Sequence, residues 1–174
     1  MEKSESLASG RLRGVVDSVN YIDRTRRLYS SQQPYQWAEN EGAAIPWTPV
    51  DGSLTDKRVA LVSSGGVYRA DQEPFHFRND TSYRQIPIDT PADQLRVAHF
   101  GYDTRDAKRD AGCVLPMGAL SQLAREGRIG SLVDRALSFM GGIYSQRRVC
   151  EEVAPAFLEI AASEEVDLVL LVPV

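Results

Sequence analysis

The sequence predicts an α/β fold: a three-layer open sheet, mainly parallel, preceded by an irregular N-terminal arm and incomplete as it stands. Three observations carry this. The chain closes on Glu165-Val-Asp-Leu-Val-Leu-Leu-Val-Pro-Val174, a nearly unbroken valine and leucine run with the pattern of a strand buried on both faces inside a parallel sheet. Two further apolar runs, at 57–63 and 136–140, lead into the glycine pairs Gly65-Gly66 and Gly141-Gly142. Between the last two runs lies a long amphipathic stretch, which completes a strand, turn, helix, strand unit, by default a right-handed parallel crossover. Ligands of open α/β sheets gather beyond the carboxyl ends of the strands. The terminal run is therefore expected to point at an active-site loop.

The totals narrow the class. A chain of 174 residues, 43% hydrophobic and 25% charged, suits one domain with an N-terminal extension. We divide it into an arm, 1–56, and an α/β portion, 57–174. The net charge of −4 argues against a nucleic-acid partner held through its phosphates. The polar N-terminus carries no secretory core, and no apolar run reaches membrane-spanning length, so a cytoplasmic location without membrane contact is expected. Cys113 and Cys150 are the two cysteines; they form no Cys-x-x-Cys pair, and each is expected as a small buried hydrophobe.

In chain order, 11–30 places apolar residues at helical spacing (Leu12, Val15, Val16, Val19, Ile22), and 31–52, with Pro34, Pro46, Pro49, Trp37 and Trp47, is expected to be extended and irregular. Lys57-Arg-Val-Ala-Leu-Val-Ser63 is the first strand. A polar connection follows over 67–90, with a short strand at 83–88; such long connections are often functional. Residues 95–100 form another strand with His99 near its end. Asp103, Asp106 and Asp110 lack the calcium-loop pattern, so no metal site is expected, and Asp103 or Thr104 serves as a helix cap. A short helix spans 119–126, closed by Gly127. Residues 146–164 form the longest helix, which Pro155 should kink or divide.

Several blocks, taken together in order, resemble a known family. They include Leu61-Val-Ser-Ser-Gly-Gly-Val67, Phe75-His76, Asp80-Thr-Ser-Tyr-Arg84, His99-Phe-Gly-Tyr-Asp103, Asp110-Ala-Gly-Cys-Val-Leu-Pro116, Ser138-Phe-Met-Gly141 and the terminal strand. Over about 57–174 the chain resembles the selenoprotein B family of glycine, sarcosine, betaine and D-proline reductases. The resemblance implies reductive C–N bond cleavage of a small amino-acid or betaine substrate, with a selenocysteine, or a cysteine in its place, just beyond a strand ending like Val-Pro-Val. It also implies a dithiol or thioredoxin-type reductant and, in some members, a pyruvoyl group on a partner subunit. Selenocysteine is encoded by UGA, so the chain is expected to be the N-terminal part of a longer selenoprotein cut at that codon, and inactive by itself. No cofactor is expected within these residues.

Loop position and side-chain chemistry nominate the binding wall. The N–H groups of Gly65 and Gly66 are candidates to meet a substrate carboxylate, Arg84 to pair with it through a bidentate fork, and His76, His99 and Asp103 to deliver a proton to the leaving amine. Two other readings stand beside this one: a non-catalytic α/β ligand-binding or interaction module, and a flavodoxin-like or racemase-like enzyme, the latter requiring a cysteine pair at the strand ends.

Overall fold

The computed structural model describes Arg27 and residues 48–174. The expected helix at 11–30, apart from Arg27, and all but the end of the Pro/Trp segment at 31–52 lie outside the described residues. The fold below is that of the unit Pro49–Val174.

β1 (Arg58–Ser63) is the axis of the main sheet, and five of its six residues are buried. Valine and leucine on both pleat faces demand cover on both sides, and the topology supplies it. β5 (Ser131–Leu132) and β6 (Arg135–Phe139) pair in parallel with successive parts of β1, and β7 (Leu168–Val172) pairs in parallel along its full length from Val59 to Ser63. β3 (Tyr83–Pro87) adds to the far edge of β6 antiparallel. The sheet is thus mixed and mainly parallel.

Alternation along β1 divides the interior. Val59 and Leu61 join a core with Ala107 of α1 (Arg105–Arg109), the turn at Ala111–Cys113, and Met117 and Leu120 of α2 (Met117–Arg125). Ala60 and Val62 face the opposite way, toward α4 (Ala154–Ser163). Helices on both faces give the three layers.

The long helical stretch is divided, as its proline predicts. It runs as α3 (Gln146–Arg148), a π-turn at Val149–Val153, and α4. Pro155 lacks an N–H and its ring crowds the carbonyl four residues back. The ladder widens just before it, where the Ala154 N–H reaches the Val149 carbonyl.

Four expectations are corrected. The 67–90 connection contains β2 (Val67–Arg69), which pairs antiparallel with β4 (Leu95–Val97) in a separate two-stranded sheet; its three residues are too few to show periodicity. The predicted strand at 95–100 therefore stops at Val97. β7 is not buried on both faces. Leu168 and Val172 pack against the core, but Val169, Leu170 and Leu171 are 40%, 37% and 66% exposed. An apolar run reports a hydrophobic setting for the strand without reporting how many neighbours lie beyond it. A groove of about 380 Å³ runs along this face between β7 and α4, lined by Val62, Phe157, Leu158, Ala161, Val169 and Leu171. Cys113 and Cys150 are free and exposed rather than buried. Among the described residues, no helix is long and apolar enough to cross a membrane.

Candidate functional site

The carboxyl ends of β1, β6 and β7 converge on Ser64. Its N–H donates to the Val172 carbonyl (3.1 Å), its carbonyl accepts from the Gly141 N–H (3.1 Å), and its Oγ accepts from the Val174 N–H (2.9 Å). Two buried hydroxyls stand where regular pairing ends. Ser63 Oγ donates to the Val114 carbonyl at 2.6 Å and accepts from the Gly65 N–H at 3.0 Å, while Ser138 Oγ accepts from the Val67 N–H at 2.9 Å. Buried polar groups need such partners, and these hydroxyls satisfy backbone that the sheet no longer reaches.

Gly66 occupies the left-handed region (φ +68), and a Cβ there would lie 2.2 Å from the Ala98 carbonyl oxygen. Its own carbonyl accepts from the Ala98 N–H (2.9 Å), and its N–H donates to the Phe139 carbonyl (3.0 Å). The N–H groups proposed from sequence to meet a carboxylate, those of Gly65 and Gly66, are therefore already engaged within the fold. Their close packing seats the 98–102 loop against the end of β1.

That loop carries His99. The Gly101 N–H donates to His99 Nδ1 at 2.8 Å, which makes Nδ1 an acceptor and puts the neutral ring's proton on Nε2. Nε2 is buried and has no partner among the described residues. Burial holds the imidazole below the usual histidine range. His99 packs on Tyr102, with ring centroids 4.6 Å apart, and stacks with Phe100 at 5.9 Å. The Tyr102 hydroxyl donates to the Gly65 carbonyl at 2.9 Å; burial, and then the neighbouring Cys113, push its pKa up to about 12. Cys113, Tyr102 and His99 thus lie along one side of the strand ends. His99 carries a checkable pH dependence. A histidine whose folded pKa is lowered binds its proton more readily when unfolded, so this contribution to stability is present above about pH 6.5 and is lost as pH falls below it. An NMR titration is expected to place the His99 midpoint below the ordinary histidine value of about 6.5; a midpoint at or above that value would contradict the buried, neutral ring.

The other nominated residues lie in the surrounding loops. Asp103 is exposed and ion-paired with Arg105, whose side chain holds its carboxyl below the usual range; at neutral pH it is a carboxylate and carries no proton to deliver. The His76 N–H donates to Asp80 Oδ2 (2.7 Å) and its Nδ1 accepts from the Arg78 N–H (3.1 Å). Arg84 donates to the Glu73 carbonyl, Ser82 Oγ and the Tyr83 carbonyl, and its guanidinium lies 4.4 Å from the Phe75 ring centroid. It fastens the 73–83 loop through these contacts, none of which among the described residues is with His99.

Sequence reasoning passed over the residues that bind these loops together. Asn79, at φ +47, accepts through Oδ1 from the Tyr144 N–H (2.8 Å) and the Ser145 N–H (3.3 Å). Arg148 holds the Asn79 carbonyl (2.6 Å), Thr81 Oγ1 (2.7 Å) and Glu152 (2.8 Å). Arg148 first, and Thr81 second, hold the Glu152 carboxyl down at about 2. Phe77 meets Phe100 edge-on at 6.1 Å, and Phe100 lies near-parallel to Tyr144 at 6.4 Å. The one sequence signal was Asn79 itself, among the few residue types that tolerate positive φ.

An open, mainly parallel sheet whose strand ends gather a histidine, a tyrosine and a thiol under three converging loops is an α/β unit of the kind that carries its chemistry at the strand ends. Residues 37–173 match the family described as glycine/sarcosine/betaine reductase selenoprotein B, and the chain belongs to that family. It is 38% identical over 125 residues to the D-proline reductase subunit gamma of Acetoanaerobium sticklandii, covering 72% of this chain and 52% of the relative. It is 30% identical over 135 residues to the glycine reductase complex component B subunit gamma of Symbiobacterium thermophilum, covering 73% and 30%. With the sarcosine reductase complex component B subunit beta of Peptoclostridium acidaminophilum it shares 29% over 103 residues, covering 56% and 23%. The chain thus spans about half the length of the first relative and less than a third of the others. No solved structure matches.

Proposed function

We propose that the chain forms the strand-end wall of the substrate-binding site in a reductase that cleaves the C–N bond of an amino acid or betaine. Kinship with components of glycine, sarcosine and D-proline reductases supports this. The observation that carries it is the convergence of the strand ends on Ser64, beside the unpartnered Nε2–H of His99. In the proposed reaction the substrate C–N bond breaks, a C–H bond forms on the carbon and the nitrogen leaves as an amine. The two electrons come from a dithiol that becomes a disulfide. A selenocysteine or cysteine, and a pyruvoyl group where one is used, supply the nucleophilic and activating chemistry from polypeptide outside these residues.

This chain's own part is to bind and orient. With Nδ1 accepting from backbone, His99 offers Nε2–H as a hydrogen-bond donor toward the reacting end of the substrate. Its neutral state suits a donor that orients better than an acid that releases a proton. Tyr102, held protonated, keeps Gly65 in place. His76, Asp103 and Arg84 shape the outer loops.

The test is an assay of the native assembly purified through a tag on this chain. Dithiothreitol-dependent release of ammonia from glycine, methylamine from sarcosine or trimethylamine from betaine, or ring opening of D-proline, is the expected result. An intact assembly that turns over none of the four, in the presence of dithiol, would sink the proposal.

A further inference from the structure

Phe77, Phe100 and Tyr144 are 56%, 43% and 74% exposed. Single exposed aromatics need no explanation, but these three come from separate loops, and Phe100 meets both Phe77 and Tyr144 at the carboxyl end of the sheet. Burying one such ring removes about 150–250 Å² of surface from water, so leaving three exposed forgoes a large stabilisation. The fold holds them in place. Asn79 Oδ1 fixes the backbone at Tyr144 and Ser145. Arg148 fixes Asn79 in turn. Gly142 lets Phe100 lie against the main chain, since a Cβ there would stand 2.3 Å from Phe100 Cζ.

The ring planes matter for what they bind. Phe77 is nearly perpendicular to Phe100 (79°), and Tyr144 is nearly parallel to it (24°), so aromatic surfaces meet at a corner. Ring faces carry negative charge density and attract cations, best those that part easily from water, such as alkylated ammonium groups. The surroundings favour a cationic guest. His99, stacked on Phe100, is held neutral by burial. The guanidinium groups of Arg84, Arg105 and Arg148 are engaged within the fold, over Phe75, with Asp103 and with Glu152, and that of Arg78, next to Phe77 in sequence, belongs to an exposed residue.

We infer that Phe77, Phe100 and Tyr144 form a subsite for an N-alkylated ammonium group, the cationic nitrogen of a secondary amino acid or a betaine. This rests on the reductase reading for its substrate class. Sarcosine and proline, which two of the relatives carry in their names, both have an alkylated nitrogen. A primary ammonium, more strongly hydrated, is the poorer guest.

NMR titration of the labelled 174-residue chain tests the subsite without any turnover. The probes are betaine, tetramethylammonium, and 3,3-dimethylbutyrate, the neutral-headed carbon isostere of betaine. Betaine and tetramethylammonium are expected to shift the Phe77, Phe100 and Tyr144 resonances, with betaine binding about tenfold more tightly than the isostere. Tyr144→Leu should lose about that factor, and Tyr144→Phe should keep it. Equal binding of the isostere, shifts confined to other residues, an unaffected Tyr144→Leu variant, or no shift with any probe would each overturn the subsite. Because binding is read on this chain alone, a failed reductase assay with the shifts present removes the reductase reading only, and the converse removes the subsite only.

Discussion

Gly66→Ala is expected to lower the unfolding free energy by about 3 kcal/mol, read from denaturant midpoints at unchanged slope. Two effects add. A non-glycine residue in the left-handed region costs about 1–2 kcal/mol. The new Cβ would also stand 2.2 Å from the Ala98 carbonyl oxygen, a backbone atom that can move only by stretching the Gly66–Ala98 hydrogen bond and the β2–β4 pairing beyond it. Gly127→Ala separates the two. Gly127 has φ +65 with nothing within 4 Å of an added Cβ, so its variant should show the conformational cost alone, about 1 kcal/mol. Equal losses for the two variants would mean that the Ala98 contact is unimportant. The Gly66 variant should also lose hydrogen-exchange protection at Ala98 before the rest of the sheet.

The second large effect concerns the outer face of β7. Val169→Lys with Leu171→Lys is expected to leave unfolding stability within about 1 kcal/mol, because Leu171 stands mostly in water and Val169 faces an open groove at 40% exposure. The same change should sharply reduce self-association and binding of a hydrophobic dye, read by analytical ultracentrifugation and fluorescence. An apolar edge strand beside an open groove invites pairing, and lysine on such an edge is a common means of preventing it. A large loss of stability would show that this face is packed in solution. Unchanged association would place the sticky surface elsewhere.

These two outcomes bear on how much the sequence reveals. β1, β3 and β6 were legible to within about a residue, β1 and β6 because apolar runs bounded by basic residues or glycine leave few alternatives. Pro155 correctly announced a division of its helix, since the missing donor acts locally. β2 was hidden because three residues hold no period, and β4 ended early because the ladder, which the Ala98 N–H still continues to the Gly66 carbonyl, breaks at Gly66 with its φ of +68. The exposure of β7 depends on neighbours in space, about which a run of valines and leucines is silent. The same holds at the site. The placement of Gly65-Gly66 and the 99–103 loop at the strand ends was legible, and His99 and Gly65 do share that end of the sheet. The commitment of the Gly66 N–H to the Phe139 carbonyl was not legible, because it depends on a strand distant in sequence, whereas that of the Gly65 N–H to Ser63 Oγ is a local contact that the sequence reading passed over. The aromatic corner escaped notice because its members, Phe77, Phe100 and Tyr144, are separated by more than twenty residues at each step.

Ser64 gives the strand ends a mechanical property. One residue at the end of β1 joins two strand ends that lie some eighty and a further thirty residues on, that of β6 through its carbonyl and that of β7 through its N–H and Oγ. Displacement of the backbone at Val174 pulls first on the serine hydroxyl, and through the same residue's carbonyl on Gly141, the start of the loop that carries Tyr144. The segment leaving β7 and the aromatic corner are therefore coupled by two hydrogen bonds and a single side chain. A load applied at one is delivered to the other without any rearrangement of the helices.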